Sequence, residues 1–288
     1  MTELEKSLSF VERNAQAHLQ NSKDLIQYAT KMAGTGRALV LSSSGCEEVP
    51  LDILGRRFIQ VDLVEKDAGI VELISRKRSL GNHTYTFYQE DLTCILATIT
   101  PQAEEIAAVA QNPSSCLQAL GQLLISTPLH FCKPTPEPKY NLIVCSGMLT
   151  RISALVRQEI ESIFLHHFPQ SLSALTSDPE WRKPLWQFVR KLEEQFLNHL
   201  ASLVAHNGMV YLSDTVKVCW LRLDETNQML TQGAWQTIAK PRLIDYLYSE
   251  SKVLEQQQWK YLIKKPQGQY WGSLSMIESL VYHFPQKR

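Results

Sequence analysis

The residues with the most chemical content stand where apolar runs end. Ala38-Leu39-Val40-Leu41 is followed at once by Ser42, Ser43, Ser44 and Gly45. Small residues at such a place let a ligand approach the backbone closely. The run 58–64 ends at Glu65, with Asp67 just beyond it, and the run 85–88 leads into Glu90, Asp91 and Leu92. The run 142–145 ends at Ser146-Gly147, and the run 209–212 at Ser213 and Asp214. A carboxylate after the second run can accept both hydrogen bonds of a ribose diol. A carboxylate after the third can accept from an adenine amino group. Taken in chain order, these groups describe an adenosine pocket. Any one of the acids alone is equally a cap on the helix that follows it. The constellation, rather than a single member, carries the functional reading.

These groups meet only if the runs are neighbouring strands. Continuous apolar residues without alternation mark strands buried on both faces of a parallel sheet. Between them lie helical patterns. Residues 3–32 place Leu8, Val11, Ala15 and Leu19 on one face, then Leu25, Ile26, Ala29 and Met32 after a cap at Ser22. Gly34 and Gly36 end that stretch. Residues 49–54 read as a short helix or loop, and a helix follows through Ile70, Leu73 and Ile74. Residues 101–126 are helical and split by Pro113. The proline-rich stretch 133–138 is an exposed connector. A long helix carries Ile152, Val156, Ile160 and Ile163 at helical spacing. Residues 166–186 read as irregular and aromatic. Another helix carries Leu192, Phe196, Leu200 and Val204 and ends at Asn207-Gly208, and a short one covers 242–248. Two strands, 259–263 and 276–284, close the chain as an antiparallel pair, because the link between them contains Pro266, Gly268 and Gly272 and leaves no room for a helix. Alternating strands and helices predict an α/β protein with a mostly parallel sheet and helices on both faces.

Composition narrows the function classes. The chain has 288 residues, with 29 basic and 29 acidic side chains. That length suffices for a core without metal or disulfide support. The charge balance lacks the basic surplus of a nucleic-acid binder, so no nucleic-acid partner is expected. No window has the roughly 18–20 continuous apolar residues of a membrane span, and the polar start at 1–6 does not read as a cleaved signal. A soluble, cytoplasmic protein is expected; export without a cleaved signal would leave no such mark. The six cysteines, Cys46, Cys94, Cys116, Cys132, Cys145 and Cys219, contain no CxxC pair. They read as buried free thiols, and no metal site is expected.

In the order of these blocks the chain resembles the class I (seven-stranded) S-adenosylmethionine-dependent methyltransferases. The carrying segments are residues 38–51 with their Ser42-Ser43-Ser44-Gly45 turn, Val61-Asp62-Leu63-Val64-Glu65, Gln89-Glu90-Asp91-Leu92, residues 140–147 and residues 207–214. The resemblance runs from about residue 37 to the end. It implies a doubly wound seven-stranded sheet with an antiparallel last strand, preceded by an N-terminal helical extension (1–36) that would serve as a lid. It implies a methyltransferase-like domain over 37–288 with an inserted connection at about 166–188. It further implies S-adenosylmethionine as cofactor. Ser42, Ser43, Ser44 and Gly45 would line its methionine end, Glu65 the ribose, Asp91 and Leu92 the adenine, and Ser146 and Gly147 the methyl-transfer point. The chain departs from the family in two places. Serines stand where further glycines are usual in the first turn, and Asn141 stands where the fourth strand often begins with aspartate.

The implied activity is direct methyl transfer to a small molecule or a protein side chain. Such an enzyme must align its acceptor in line with the methyl group, and needs a base for a hydroxyl or ammonium acceptor. His130, His166, His167 and His206 are candidates by type, whereas His199 reads as a structural helix residue. Trp181, Trp186 and Phe188 could stack on an acceptor, or pack the connection onto the core. Glu47, Glu48, Glu65, Asp67, Asp91 and Asp214 would form an acidic rim, with Arg76, Lys77 and Arg78 on a solvated face elsewhere. Two other readings remain. One is a non-catalytic member of the fold, motivated by the serine-rich turn. The other is a nicotinamide-dependent oxidoreductase, which would want GxGxxG where only Gly45 is present.

Overall fold

The computed structural model describes residues 10–42, 46–65, 72, 85–88, 94–131, 139–225, 229–237, 251–264 and 271–283. The chain divides into two compact units. One comprises Met1–Gln89, Glu137–Met148 and Leu203–Arg288, the other Glu90–Pro136 and Leu149–Ser202.

The first unit holds the sheet. Its elements are α1 (Phe10–Met32), β1 (Arg37–Ser42), α2 (Leu51–Arg57), β2 (Gln60–Val64), β3 (Tyr85–Tyr88), β4 (Tyr140–Ser146), β5 (Val204–Leu223), β6 (Met229–Gln232), β7 (Gln236–Thr237), β8 (Lys252–Lys264) and β9 (Trp271–His283). The strand order is β3-β2-β1-β4-β5-β9-β8, with β6 and β7 paired to β5 off this path. β3, β2, β1, β4 and β5 run parallel, while β9 is antiparallel to both β5 and β8. Seven strands thus lie along the main path, and the last strand is antiparallel, as expected. It sits inside the sheet, however, and leaves β8 at the edge.

Alternation sets the two faces. Ala38 and Val40 of β1, Val61 and Leu63 of β2, Leu142 and Val144 of β4, and Met209 and Tyr211 of β5 form one core with Leu25, Ile26 and Ala29 of α1. α1 is one helix: Ser22, read as a cap, is fully buried in its middle. In the middle of β2, Asp62 is buried. It takes hydrogen bonds from Arg37 (2.5 Å), the Tyr140 hydroxyl (2.8 Å) and Gln60 (2.7 Å). Asn141 has a packing role here. Its Oδ1 accepts from the Arg37 backbone N–H at 3.1 Å, and a Cβ on Gly36 would stand 2.2 Å from the same oxygen.

β5 is longer than its apolar run predicts. Val204 already pairs with Tyr140, and the register then shifts, so that Leu142 faces Met209. Asn207 takes a left-handed φ of 59° within that irregularity. The sequence assigned Val204 to the preceding helix and a stop to Asn207-Gly208. The structure ends the helix at Leu203 and makes the Asn-Gly step part of the strand's irregular entry, because pairing with β4 outweighs the local turn preference.

The second unit is helical: α3 (Ile95–Val109), α4 (Pro113–Ser126), α5 (Met148–His167), α6 (Leu172–Ser177) and α7 (Pro179–Leu203). Pro113 opens α4, where the missing N–H costs nothing, and Asn112 caps it by accepting from Ser115 N–H at 2.9 Å. The stretch 166–186 is not irregular. It holds the end of α5, all of α6 and the start of α7, with Pro184 inside that helix. Trp181 and Phe188 are buried at 0% and 1% exposure, whereas Trp186 is 48% exposed. The expectation of six free thiols also needs correction. Cys46, Cys116, Cys145 and Cys219 form no disulfide, but Cys94 is disulfide-bonded. Short-range spacing detects CxxC motifs and leaves other pairings undetermined. Cys132 lies outside the described residues.

Candidate functional site

The site follows from strand register. Ser42 of β1 pairs with Ser146 of β4, Ser146 with Ser213 of β5, and Ser213 with Ser279 of β9. Three apolar runs each ending in serine therefore end level with one another, and β9 supplies a fourth serine to the row. Leu41 pairs with Val64, which puts Glu65 one residue past the last β1–β2 pair, beside Ser42. The Glu65 N–H donates to the Tyr88 carbonyl at 3.0 Å, which holds it against β3. Its side chain belongs to a residue only 7% exposed. Strand order reverses between β1 and β4, and the crevice beyond the strand ends at such a switch point is where ligands bind in open α/β sheets. Glu65, Ser42 and Ser146 stand at the strand ends on the two sides of that switch.

Past Ser146 the chain turns sharply. The Gly147 N–H donates to the Ser213 carbonyl at 2.8 Å, and its φ of 64° lies in the left-handed region that favours glycine. The Ser146 and Ser213 hydroxyls are 2.9 Å apart and buried, so each hydroxyl has the other as partner. The Tyr211 hydroxyl lies 3.4 Å from Ser279 Oγ on the same face. Burial is the first cause that pushes the Tyr211 phenol up; the hydroxyls of Ser213, Ser279 and Ser22 oppose it. Asp214, 3% exposed, accepts from the Thr215 N–H at 2.7 Å and stands opposite Glu278 of β9. Burial, with Asp214 nearby, raises the Cys145 thiol well above its ordinary value.

Of the sequence-predicted site residues, the structure brings Ser42, Glu65, Ser146 and Gly147 to one edge of the sheet. Ser43, Ser44, Gly45, Asp91 and Leu92 lie outside the described residues, as do Asp67, Arg76, Lys77 and Arg78. Of the predicted acidic rim, Glu47 is exposed, while Glu48, Glu65 and Asp214 are buried. His206 is exposed in the irregular start of β5, and His167 lies 3.2 Å from Glu104 within the helical unit. His199 stacks on Phe131 at 5.4 Å. Trp259 is a core residue of β8, and Trp235 packs against a small second cluster of Cys219, Leu221, Leu223 and Leu274.

Sequence reasoning missed a histidine of more consequence than these. His18 is 7% exposed, 2.9 Å from Glu48, and accepts a hydrogen bond from the Trp259 indole. Its signal was present: His18 and Ser22 occupy the same stripe of α1 as Ala15, Ile26 and Ala29, so two polar residues stand at core spacing. Among the described residues no group of three or more His, Cys, Asp or Glu is placed to hold a metal ion, and no helix is long and apolar enough to cross a membrane.

No family model matches the sequence, and no curated protein does. Solved structures do. The N-methyltransferase NodS of Bradyrhizobium japonicum is similar at 6% identity, over 93% of this chain and 96% of that one, with a TM-score of 0.42. An S-adenosylmethionine-dependent methyltransferase of Clostridium acetobutylicum matches at 7% identity over 93% and 92%, also at 0.42. One from Leishmania major matches at 13% identity over 91% and 72%, at 0.36. The fold assignment itself rests on the sheet. By its strand order and the direction of β9, the chain has the Rossmann-like, mostly parallel α/β fold that the resemblance to class I methyltransferases implies.

Proposed function

We propose that this protein is an S-adenosylmethionine-dependent methyltransferase that transfers the methyl group directly to a small molecule or a protein side chain. The observation that carries the proposal is the placement of Glu65. A nearly buried carboxylate stands at the carboxyl end of β2, beside the switch point, with a level row of serines across the neighbouring strand ends. The residues present fit a nucleoside cofactor. Glu65 is an acceptor for a diol, and the left-handed φ of Gly147 gives the sharp turn at the end of β4. Asp91 and Leu92 would meet the adenine, and Ser43, Ser44 and Gly45 the methionine end. When bound, the cofactor supplies a methyl group on a sulfonium, which is already a good leaving-group system. The chain's own task is then to orient an acceptor and exclude water. Acidic residues near the edge suit a cationic ligand.

Titration calorimetry with S-adenosylhomocysteine tests the proposal. Micromolar binding is expected, and Glu65→Ala should weaken it by about tenfold or more, the scale of a lost charged hydrogen-bond acceptor. Absence of heat with both the cofactor and its demethylated product, on folded protein, overturns it. One observation favours a second reading, a binding module without catalysis. The Ser146 hydroxyl is buried and lies 2.9 Å from the Ser213 hydroxyl, so one of its hydrogen bonds is made within the sheet. A binding-competent protein that turns over no acceptor would support that reading.

A further inference from the structure

A buried polar cluster lies beneath α1. His18, Glu48 and Trp259 are 7%, 3% and 8% exposed. His18 Nε2 lies 2.9 Å from Glu48 Oε2, and Trp259 Nε1–H donates to His18 Nδ1 at 2.9 Å. Tyr261 stacks on the imidazole, with ring centroids 4.2 Å apart and planes 26° from parallel. An indole N–H can only donate. Nδ1 must therefore offer its lone pair, and the ring proton sits on Nε2, facing Glu48. α1 and β8, from opposite ends of the chain, thus combine to hold one donor against one carboxylate.

The carboxylate they hold is in the turn that leaves β1. Glu48 lies three residues past Gly45. Cys46 has a left-handed φ of 62°, its carbonyl accepts from the Val49 N–H at 3.1 Å, and α2 then begins at Leu51. From the other side, the Tyr85 hydroxyl of β3 donates to the Leu51 carbonyl at 2.7 Å. The segment 46–51 is anchored at Glu48 by α1 and at Leu51 by β3. Taking the His18 donor away from a buried carboxylate costs it a charged hydrogen bond, and that loosens the first anchor.

We infer that His18 is a positioning residue for the turn 46–49 that leads into α2. It acts through Glu48, with its proton kept toward that carboxylate by Trp259. The consequence for ligand affinity rests on the proposal that this turn holds the cofactor; the positioning itself does not.

Three variants of the full chain test the inference: His18→Phe, His18→Gln and Trp259→Phe. The phenylalanine keeps a stacking ring and removes the donor. The glutamine keeps an N–H where Nε2 stands. Hydrogen–deuterium exchange should rise in the peptide covering 46–54 of His18→Phe and stay unchanged over 140–146. His18→Gln should restore the wild-type pattern. Binding of S-adenosylhomocysteine should weaken by about tenfold in His18→Phe and by less than about threefold in His18→Gln. If His18→Phe does not fold, Trp259→Phe carries the test. It keeps the imidazole but frees its tautomer, and a rise over 46–54 is expected. Unchanged exchange over 46–54 in the folded variants, or equal loss in His18→Phe and His18→Gln, overturns the inference. If wild-type protein binds no S-adenosylhomocysteine, the cofactor proposal fails, and the exchange experiment still decides the role of His18.

Discussion

At the scale of single residues, burial decides what each polar group can do. Ser146 and Ser213 each have the other's hydroxyl as a partner at 2.9 Å. Replacing one by alanine leaves the other short of a bond in the core and should cost about 1–3 kcal/mol. Replacing both should cost less than the sum of the single losses, and urea denaturation of all four proteins in a double-mutant cycle measures the coupling. Cys116 gives a pH dependence. Its thiol is pushed by burial from an ordinary 9.0 to about 11. Between those values the unfolded chain has lost the proton and the folded chain keeps it. The thiol's contribution to stability is therefore intact below pH 9 and declines as the pH rises toward 11. Cys145 and Cys219 shift in the same direction. Cys116→Ala should make stability fall less steeply between pH 9 and 11, as read by denaturation at pH 8 and pH 10.5. An unchanged slope would refute the assignment.

At the scale of elements, the helical unit depends on how its helices begin and how closely they approach. Asn112 caps α4 through a 2.9 Å bond from Ser115 N–H, so Asn112→Ala should lower stability by about 1 kcal/mol. Gly121 lies in the same helix. A Cβ there would meet the Glu180 carbonyl oxygen at 2.8 Å and Pro184 at 3.0 Å. Glycine-to-alanine changes in open helix interiors usually stabilise by about 1 kcal/mol. Gly121→Ala should do the reverse, because backbone has to shift, and a lowered melting temperature would register it. Much at this scale was legible. The continuous apolar runs at 38–41 and 142–145 became β1 and β4, and Pro113 marked the break between α3 and α4. The misreadings share a cause. Val204 and residues 166–186 carry weak or mixed local signals, and tertiary pairing or packing chose their state.

At the scale of the whole molecule, α1 contributes Leu25, Ile26 and Ala29 to the core that covers one face of the sheet. Deleting residues 1–33 should therefore yield protein that binds hydrophobic dye and unfolds without cooperativity. A soluble, sharply melting remainder would contradict that role. Net charge is zero in the sequence, yet Asp62, Glu48, Glu65, Asp214 and Glu278 are all buried carboxylates. The charge balance at the surface is thus set by which acids the fold withdraws from water, and composition contains no record of that.

The sequence by itself determined the class of fold and which residues fall at the carboxyl edge of the sheet. Uninterrupted apolar runs can satisfy only a strand covered on both faces, and small or acidic residues directly after them have to fall at the carboxyl edge. Ser42, Glu65, Ser146 and Gly147 take their strand-end positions on that ground. The tertiary structure decided their relations. Register placed Ser42, Ser146, Ser213 and Ser279 in one row and turned the Ser146 hydroxyl to Ser213. The insertion of β9 beside β5 and the packing of β8 against α1 joined Trp259, His18 and Glu48, which are separated by as many as 241 positions along the chain. Strand register and helix docking are choices among long-range contacts, and a single sequence carries periodicity along the chain but no measure of which distant stretches will meet.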